Sequence, residues 1–347
     1  MGPAILAAGL WASLVAPPPP GIAIDASVPV SRRLVGDWEP ADAYAVTLAA
    51  GWPHTYEPLL DALAERAQVV VFVQRGAGKN AAHRFIDGLS PTTRERISLQ
   101  PDAVDSPWVR DYGPMQTREA GGEIRWLDPD YGGRPRDDAV PSRLAESLSM
   151  TVESLPLSLD GGAIVSDGRG HCVSTFDYLQ IHHIDRFAAD FAGTTLPTLG
   201  CASLLLVHAL LDEDTAHVDM FLQFLDTTTV AVSSMSSELD PEQAARLDSV
   251  AAAVQAFATR RELPWTVVRV PMGMDLGGDL LPYVNGIHVH DAFLMPSYYE
   301  TPTATETKAA DALAAAMPGV SVIRIPAAEM ADLGGALHCA VMGVRTR

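Results

Sequence analysis

Residues 43–73 read AYAVTLAAGWPHTYEPLLDALAERAQVVVFV. Ala43–Ala49 has the apolar character of a strand. Tyr56–Ala67 sets Leu59, Leu60 and Leu63 on one face of a helix. Val69–Val73, VVVFV, reads as a buried strand. The unit is therefore strand, helix, strand, and the rest of the chain repeats it at intervals of roughly 50–70 residues.

The repeats are legible one by one. Ala81–Gly88 and Pro141–Ser149 are short helices, the second followed by a strand near Met150–Leu155. Ala163–Ser174 reads as a hairpin broken at Asp167–Gly170. Ser203–Val207 is a strand, and Met220–Phe224 and Thr229–Ser233 are paired strands. Pro241–Thr259 is the longest helix, with Asp240 as its N-cap and Pro241 at its first position. Thr266–Val270, Gly286–His290 and Ala292–Met295 are strands. The helix Thr305–Met317 stops at Pro318-Gly319, the strand Val320–Ile325 follows, and Ala336–Gly343 is the last strand-like run. The spacing permits about five related modules closing round an axis, with a doubly wound sheet as the competing reading. No linker divides the chain after residue 30, which favours one compact domain over residues 31–347.

Composition bounds what such a domain does. The 347 residues include 43 acidic and 24 basic side chains, a net charge of −19. That balance repels phosphate backbones, excludes a nucleic-acid partner and leans toward a cationic ligand. Apolar residues make up 48%, which excludes disorder, and no apolar run reaches the ~18 residues of a membrane span. Oligomeric state is not written in the sequence. Ala4–Ala16, AILAAGLWASLVA, has the length and small residues of a secretory h-region but lacks the basic residues that precede one. Export is one reading of residues 1–30, and a mis-set start or a disordered tail in a cytoplasmic protein is the other. The three cysteines, Cys172, Cys201 and Cys339, are too few for a disulfide scaffold and odd in number, so at most one pair bridges and a free thiol remains.

Four segments concentrate polar residues beside glycine: Ser106–Met115 (SPWVRDYGPM), Leu159–Gly170 (LDGGAIVSDGRG), Asp212–Phe224 (DEDTAHVDMFLQF) and Leu333–Gly343 (LGGALHCAVMG). Singly, each has a plain structural explanation as a charged turn, a glycine turn, a strand head or a buried thiol. His217 and Asp219, two apart at the head of an apolar strand, are expected on one strand face. Together the segments offer a thiol nucleophile, a histidine to move protons and carboxylates to hold a cation. Attack on a guanidinium carbon needs that combination: an activated thiolate, a carboxylate pair to grip the planar N–H fork, and a proton donor for departing ammonia.

Trp108-x-Arg110-Asp111-Tyr112-Gly113-Pro114, Asp160-Gly161-Gly162, His217-Val218-Asp219 and Gly335-Ala336-Leu337-His338-Cys339 together resemble the signature segments of the Porphyromonas-type peptidylarginine deiminase and agmatine deiminase family. The resemblance runs from about Ala43 to Gly343. It implies the guanidino-group-modifying (pentein) fold, an α/β-propeller of five ββαβ-like modules around a pseudo-fivefold axis. It implies Cys339 as nucleophile, His217 as general acid and base, and Asp111 and Asp219 as guanidinium ligands. Trp108, Arg110, Asp160 and Asn285 join them as substrate-binding positions, and no metal or organic cofactor is implied. The expected partner is a small cationic guanidino substrate or a peptide arginine. The reaction implied runs through a covalent thiouronium and releases ammonia and a ureido product, with agmatine deimination as the alternative.

The chain departs from the family pattern in three places, and the last two point away from the agmatine branch. Asp160 stands where many relatives carry Glu, Ala216 where Gly usually precedes the H-V-D motif, and Ala336-Leu337 where Asn-Ile is usual. Tyr131–Asp138, YGGRPRDD, resembles an Arg-containing loop of the peptidylarginine branch, and Arg134 and Arg136 suit a substrate carboxylate. The plainer reading has Asp137 and Asp138 neutralising both arginines on a solvated turn. Two other readings compete. A metal hydrolase would use His288 and His290 on one strand face, with His171-Cys172 and His182-His183 as further ligand types. A guanidinium-binding protein without turnover would keep the fold and lose the chemistry. Gly76–Asn80 is no P-loop, since Lys79 lacks both the upstream glycine spacing and a following Ser or Thr.

Overall fold

A computed structural model describes residues 21–188, 190–331 and 333–347. The opening unit folds as its sequence predicts. The strand Ala43–Leu48 is buried throughout, the helix Pro53–Ala64 follows, and the strand Gln68–Gln74 returns parallel to the first with Val46 opposite Val71. Leu59, Leu60 and Leu63 are wholly buried on the helix face that covers this sheet, each stabilising the fold by about 1.5–3 kcal/mol.

The same order of pairings occurs five times among the described residues: two strands pair antiparallel, a helical segment follows, and a third strand pairs parallel to the second. Met115–Glu119 and Ile124–Asp130 pair antiparallel, and Val152–Ser158 returns parallel after the helix Val140–Leu148. Val165–Ser166 and His171–Thr175 form the hairpin, and Ser203–Val207 returns parallel. Leu222–Phe224 and Thr229–Ser234 are followed by the helix Pro241–Arg260 and the strand Thr266–Pro271. Ile287–Val289 and Ala292–Ser297 are followed by the helix Ala304–Ala316 and the strand Ser321–Pro326. In the opening unit the antiparallel partner of Ala43–Leu48 is the strand Val341–Val344 from the other end of the chain. Both ends of the polypeptide therefore complete one sheet.

Local chemistry accounts for the element ends. Asp240 accepts the N–H groups of Glu242 and Gln243 at 2.9 Å each and caps the longest helix. Thr303 accepts the Glu306 N–H at 3.1 Å and does the same for Ala304–Ala316. Each cap is worth roughly 1 kcal/mol. No helix among the described residues is long and apolar enough to cross a membrane.

Several expectations need correction. Ala4–Ala16 lies outside the described residues, but Ile22–Asp25, within the segment set aside as a tail, is a strand paired antiparallel to Ser203–Val207. Of the three cysteines, whose pairing the sequence left open, Cys172 and Cys201 form a disulfide with Cα atoms 5.8 Å apart, leaving Cys339 as the free cysteine among the described residues. Ala336–Gly343 is not one strand: Leu337–Ala340 is a helical turn, and the strand begins at Val341. His217 and Asp219 do not share a strand face either, because Val218–Met220 is a 3₁₀ turn with His217 at its N-cap. His288 and His290 also part company. His288 is buried on the strand Ile287–Val289, whereas exposed His290 turns out of it with φ of 53°.

Candidate active site

Six of the residues singled out by the sequence occupy equivalent places in the five units. Each stands in the short turn before the first strand of its unit. Asp111 lies in the helical turn Val109–Tyr112 before Met115–Glu119, and Asp160 precedes the turn Gly161–Ala163 before Val165–Ser166. His217 and Asp219 flank Val218 before Leu222–Phe224. Asn285 precedes Ile287–Val289, and Cys339 sits in the turn Leu337–Ala340 before Val341–Val344. A short turn at a strand entrance frees a side chain from the sheet and points it past the strand end. Repeated five times, it brings distant residues to one spot.

Gly162 marks that spot. A Cβ there would stand 2.7 Å from His217 Nδ1 and 2.9 Å from both Asp111 Oδ1 and Asp219 Oδ2. Only a backbone without a side chain fits among the three. Its N–H donates to Asp111 Oδ1 at 3.2 Å. His217 Nε2 lies 3.1 Å from Asp160 Oδ2 and Nδ1 lies 3.6 Å from Asp111 Oδ1. Cys339 Sγ lies 4.0 Å from Asp219 Oδ2 and donates toward Asn285 Oδ1 at 3.6 Å. Asn285 is fixed in turn, because its Nδ2 donates to the Asp219 carbonyl at 3.1 Å. Asp111, His217, Asp219, Asn285 and Cys339 are all buried.

These carboxylates set the electrostatics. Burial alone would lower His217, but the charge of Asp111, the hydrogen bond that His217 donates to Asp160 and the charge of Asp219 raise it to about 10. His217 is therefore an imidazolium at neutral pH. Burial, with Asp160 and Asp219 nearby, lifts Asp111 to about 7. Burial and the charges of Asp219 and Asp111 push the Cys339 thiol well above the ordinary thiol range. The site thus favours a protonated thiol and offers negative charge to a cation.

The remaining expected residues divide. Trp108 lies against Gly335, whose missing side chain makes room for the indole: a Cβ would approach Trp108 Cη2 to 2.6 Å. Trp52 packs against that indole in a tilted arrangement, with ring centroids 5.1 Å apart. Arg110 does not face the cluster's carboxylates; its Nη1 pairs with Asp37 Oδ1 at 2.8 Å. Arg134 stands 6.0 Å over the Tyr131 ring, and Tyr131 feels the charges of Asp111 and Asp160. Arg136 pairs instead with Asp105 Oδ1 at 3.1 Å. Asp137 and Asp138 form no side-chain ion pair with either arginine and accept the backbone N–H groups of Asp105 and Tyr131, while the charge of Arg134 still acts on Asp137.

Sequence reading missed four residues. Tyr178 accepts the Asp160 N–H at 2.8 Å and packs 5.5 Å from the His217 ring. Tyr131 was named only as the edge of the Arg loop. Asp37 and His338 join the site from behind Asp219. His338 alone carried a signal, its place beside Cys339. No group of three or more His, Cys, Asp or Glu among the described residues is arranged to hold a metal ion. A cavity of about 390 Å³ opens beside the cluster. It reaches Met220, whose sulfur is 4.0 Å from Cys339 Sγ, and Gly335 beneath Trp108, and its wall includes Asp212, Glu213 and Asp279.

Comparison with known proteins identifies the family and the fold. The family model for Porphyromonas-type peptidyl-arginine deiminase matches residues 36–344. A Vibrio parahaemolyticus protein provisionally named an agmatine deiminase is 24% identical over 325 residues, 83% of this chain and 89% of its own. The solved structure of Campylobacter jejuni agmatine deiminase shares the fold at a TM-score of 0.76 and 17% identity, covering 91% of this chain and 96% of that one. Enterococcus faecalis agmatine deiminase does so at 0.74 and 18%, with the same coverage.

Proposed function

This chain belongs to the Porphyromonas-type peptidyl-arginine deiminase family, hydrolases of amidine C–N bonds, and we propose that it deiminates a guanidino substrate through a covalent intermediate on Cys339. The convergence of Asp111, His217, Asp219 and Cys339 around Gly162 carries the reading. We read the five repeated units as modules of a propeller around a pseudo-fivefold axis. Support comes from the equivalent placement of Asp111, Asp160, Asp219, Asn285 and Cys339, and from the sheet that joins the two chain ends. One catalytic domain then spans residues 31–347, extended upstream by the strand Ile22–Asp25.

Asp111 and Asp219 bind the guanidinium and Trp108 covers it. The bound cation offsets the carboxylate charge that holds the thiol protonated, so the thiol proton leaves to water and the thiolate attacks the guanidinium carbon. A C–S bond forms and a tetrahedral adduct results. His217, already an imidazolium, gives its proton to the departing nitrogen, the C–N bond breaks and ammonia leaves. The product of this half is a thiouronium on Cys339. Neutral His217 then takes a proton from water, the hydroxide adds to the same carbon, and the C–S bond breaks as the adduct's hydroxyl proton passes to the departing sulfur, returning the Cys339 thiol, the His217 imidazolium and a ureido group. Asp160 holds His217 in position through Nε2.

Arginine in peptides, or a guanidino compound that carries a carboxylate, is the substrate class favoured by Arg134 on Tyr131 at the edge of the site. Agmatine, which ends in an amine, is the second reading, favoured by the acidic wall of the 390 Å³ cavity. The test is a panel of agmatine, free arginine and a peptide ending in arginine, assayed for ureido product. Turnover of agmatine alone assigns the cavity wall, and turnover of carboxylate substrates assigns Arg134. Binding without turnover overturns the enzyme reading.

A further inference from the structure

Behind Asp219 lies a buried row of alternating charges. Asp219 is wholly buried, and its Oδ2 accepts from His338 Nδ1 at 2.6 Å. His338 is wholly buried too, and its Nε2 stands 3.2 Å from Asp37 Oδ2. Asp37 Oδ1 pairs with Arg110 Nη1 at 2.8 Å, and Arg345 Nη2 donates to the Asp37 carbonyl at 3.2 Å. The His338 backbone N–H is tied to the Asn285 carbonyl at 3.1 Å, which fixes the ring's origin. The order is guanidinium, carboxylate, imidazole, carboxylate.

Nδ1 of His338 is hydrogen-bonded to Asp219, whereas Nε2 lies at ion-pair distance from Asp37 without hydrogen-bond geometry, and the two flanking carboxylates favour the imidazolium. Burial alone would lower this imidazole, and the Arg110 charge opposes it further, but the two carboxylates hold it above its ordinary value. Asp37 sits well below the usual carboxylate range despite its burial, because Arg110 and His338 flank it. The row ends at Asp219 Oδ1, which has no hydrogen-bond partner. An unpartnered buried carboxylate oxygen is costly unless a donor arrives. The next member of the alternation is a cation at Oδ1, where a substrate N–H would sit.

We propose that His338 and Asp37 are positioning residues that clamp Asp219 through Oδ2 and leave Oδ1 aimed at the substrate guanidinium. The clamp deepens the deiminase reading and rests on it. It also gives Arg110 a role as the anchor of Asp37.

The test uses the full chain, with kcat, KM and Tm measured on whichever guanidino substrate the wild type turns over. His338→Ala should lower kcat/KM about 10²-fold, the scale of a misplaced catalytic group. His338→Asn keeps an N–H near the place of Nδ1 and should recover about tenfold of that loss, one hydrogen bond's worth. Asp37→Asn should lower kcat/KM about tenfold in the wild type and add nothing to His338→Asn, because both act through one ring. Wild-type kcat/KM in His338→Ala, or losses from Asp37→Asn and His338→Asn that multiply, would overturn the clamp. Proton NMR gives a readout that needs no turnover and no variant of Asp37. A downfield imidazole N–H resonance is expected in the wild type and absent from His338→Asn, and its absence from the wild type overturns the clamp. A wild-type chain with that resonance but no turnover on any guanidino compound would defeat the deiminase reading and leave the clamp standing.

Discussion

Cys339 Sγ lies 4.0 Å from Asp219 Oδ2, so the proposed nucleophile faces the carboxylate proposed to bind its target. The carboxylate works against the thiolate until a cation arrives, and the two roles of Asp219 are separable. Asp219→Asn relieves the thiol of one adjacent charge. Alkylation of Cys339 by iodoacetamide at neutral pH should then accelerate, about tenfold for each pH unit by which the thiol falls. Deimination should drop at least about 10²-fold, because the guanidinium loses its ligand. Slower alkylation in Asp219→Asn would contradict this electrostatic account.

The site also makes stability depend on pH in one direction. His217 is raised from its ordinary 6.5 to about 10, so its contribution is complete below pH 6.5 and is lost as pH rises through 10. Asp111 is raised from 3.8 to about 7, so its contribution is complete below 3.8 and is lost as pH rises through 7. Both fade toward alkaline pH. The midpoint of thermal unfolding should fall between pH 6 and pH 10, and Asp111→Asn should flatten the lower part of that fall. A midpoint that climbs over the interval would refute the assignment.

The two arginines of the 134–136 turn should behave differently. Arg134 stands over Tyr131 beside the site, whereas Arg136 is half-exposed and spent on Asp105. Arg134→Ala should cost roughly tenfold or more in kcat/KM on a peptide ending in arginine, the scale of a charge-assisted hydrogen bond. It should leave agmatine unaffected, and Arg136→Ala should leave both substrates near wild type. Equal losses on the two substrates in Arg134→Ala would remove Arg134 from carboxylate recognition.

The disulfide between Cys172 and Cys201 closes a loop of 29 residues. Replacing both cysteines by alanine should lower unfolding stability by about 3–4 kcal/mol, the loop-closure scale for that length. Since Cys339 is the separate free thiol, kcat of the double variant should stay within about twofold of wild type below its melting range. Stability unchanged in chemical denaturation would show that the bridge adds nothing.

Much of this architecture is written plainly in local sequence. VVVFV before a turn, Asp240-Pro241 before a long apolar-striped segment, and Ser203–Val207 declare their structures by pattern alone. The turns that carry the site do not. Leu337–Ala340 lies inside an unbroken apolar run, where no periodicity separates a helical turn from a strand. Val218–Met220 has the same ambiguity. The four motifs expose Asp111, Asp160, His217, Asp219 and Cys339 because each sits beside unusual neighbours. Asp37 has no such company, and its role appears only once folding sets it 3.2 Å from His338, about three hundred residues away. The pairing of Cys172 with Cys201 was equally invisible, since three cysteines allow three single pairings. Gly161-Gly162 looked like an ordinary turn, yet Gly162 is where three side chains meet.

The central claim is that Cys339 carries the substrate carbon. The most direct measurement is the intact mass of enzyme quenched during turnover of agmatine or an arginine peptide, alongside the release of ureido product. The wild type should show a covalent adduct that maps to Cys339 and disappears as substrate is exhausted, and Cys339→Ala should show neither adduct nor product. Product formed by Cys339→Ala at the wild-type rate would contradict the claim.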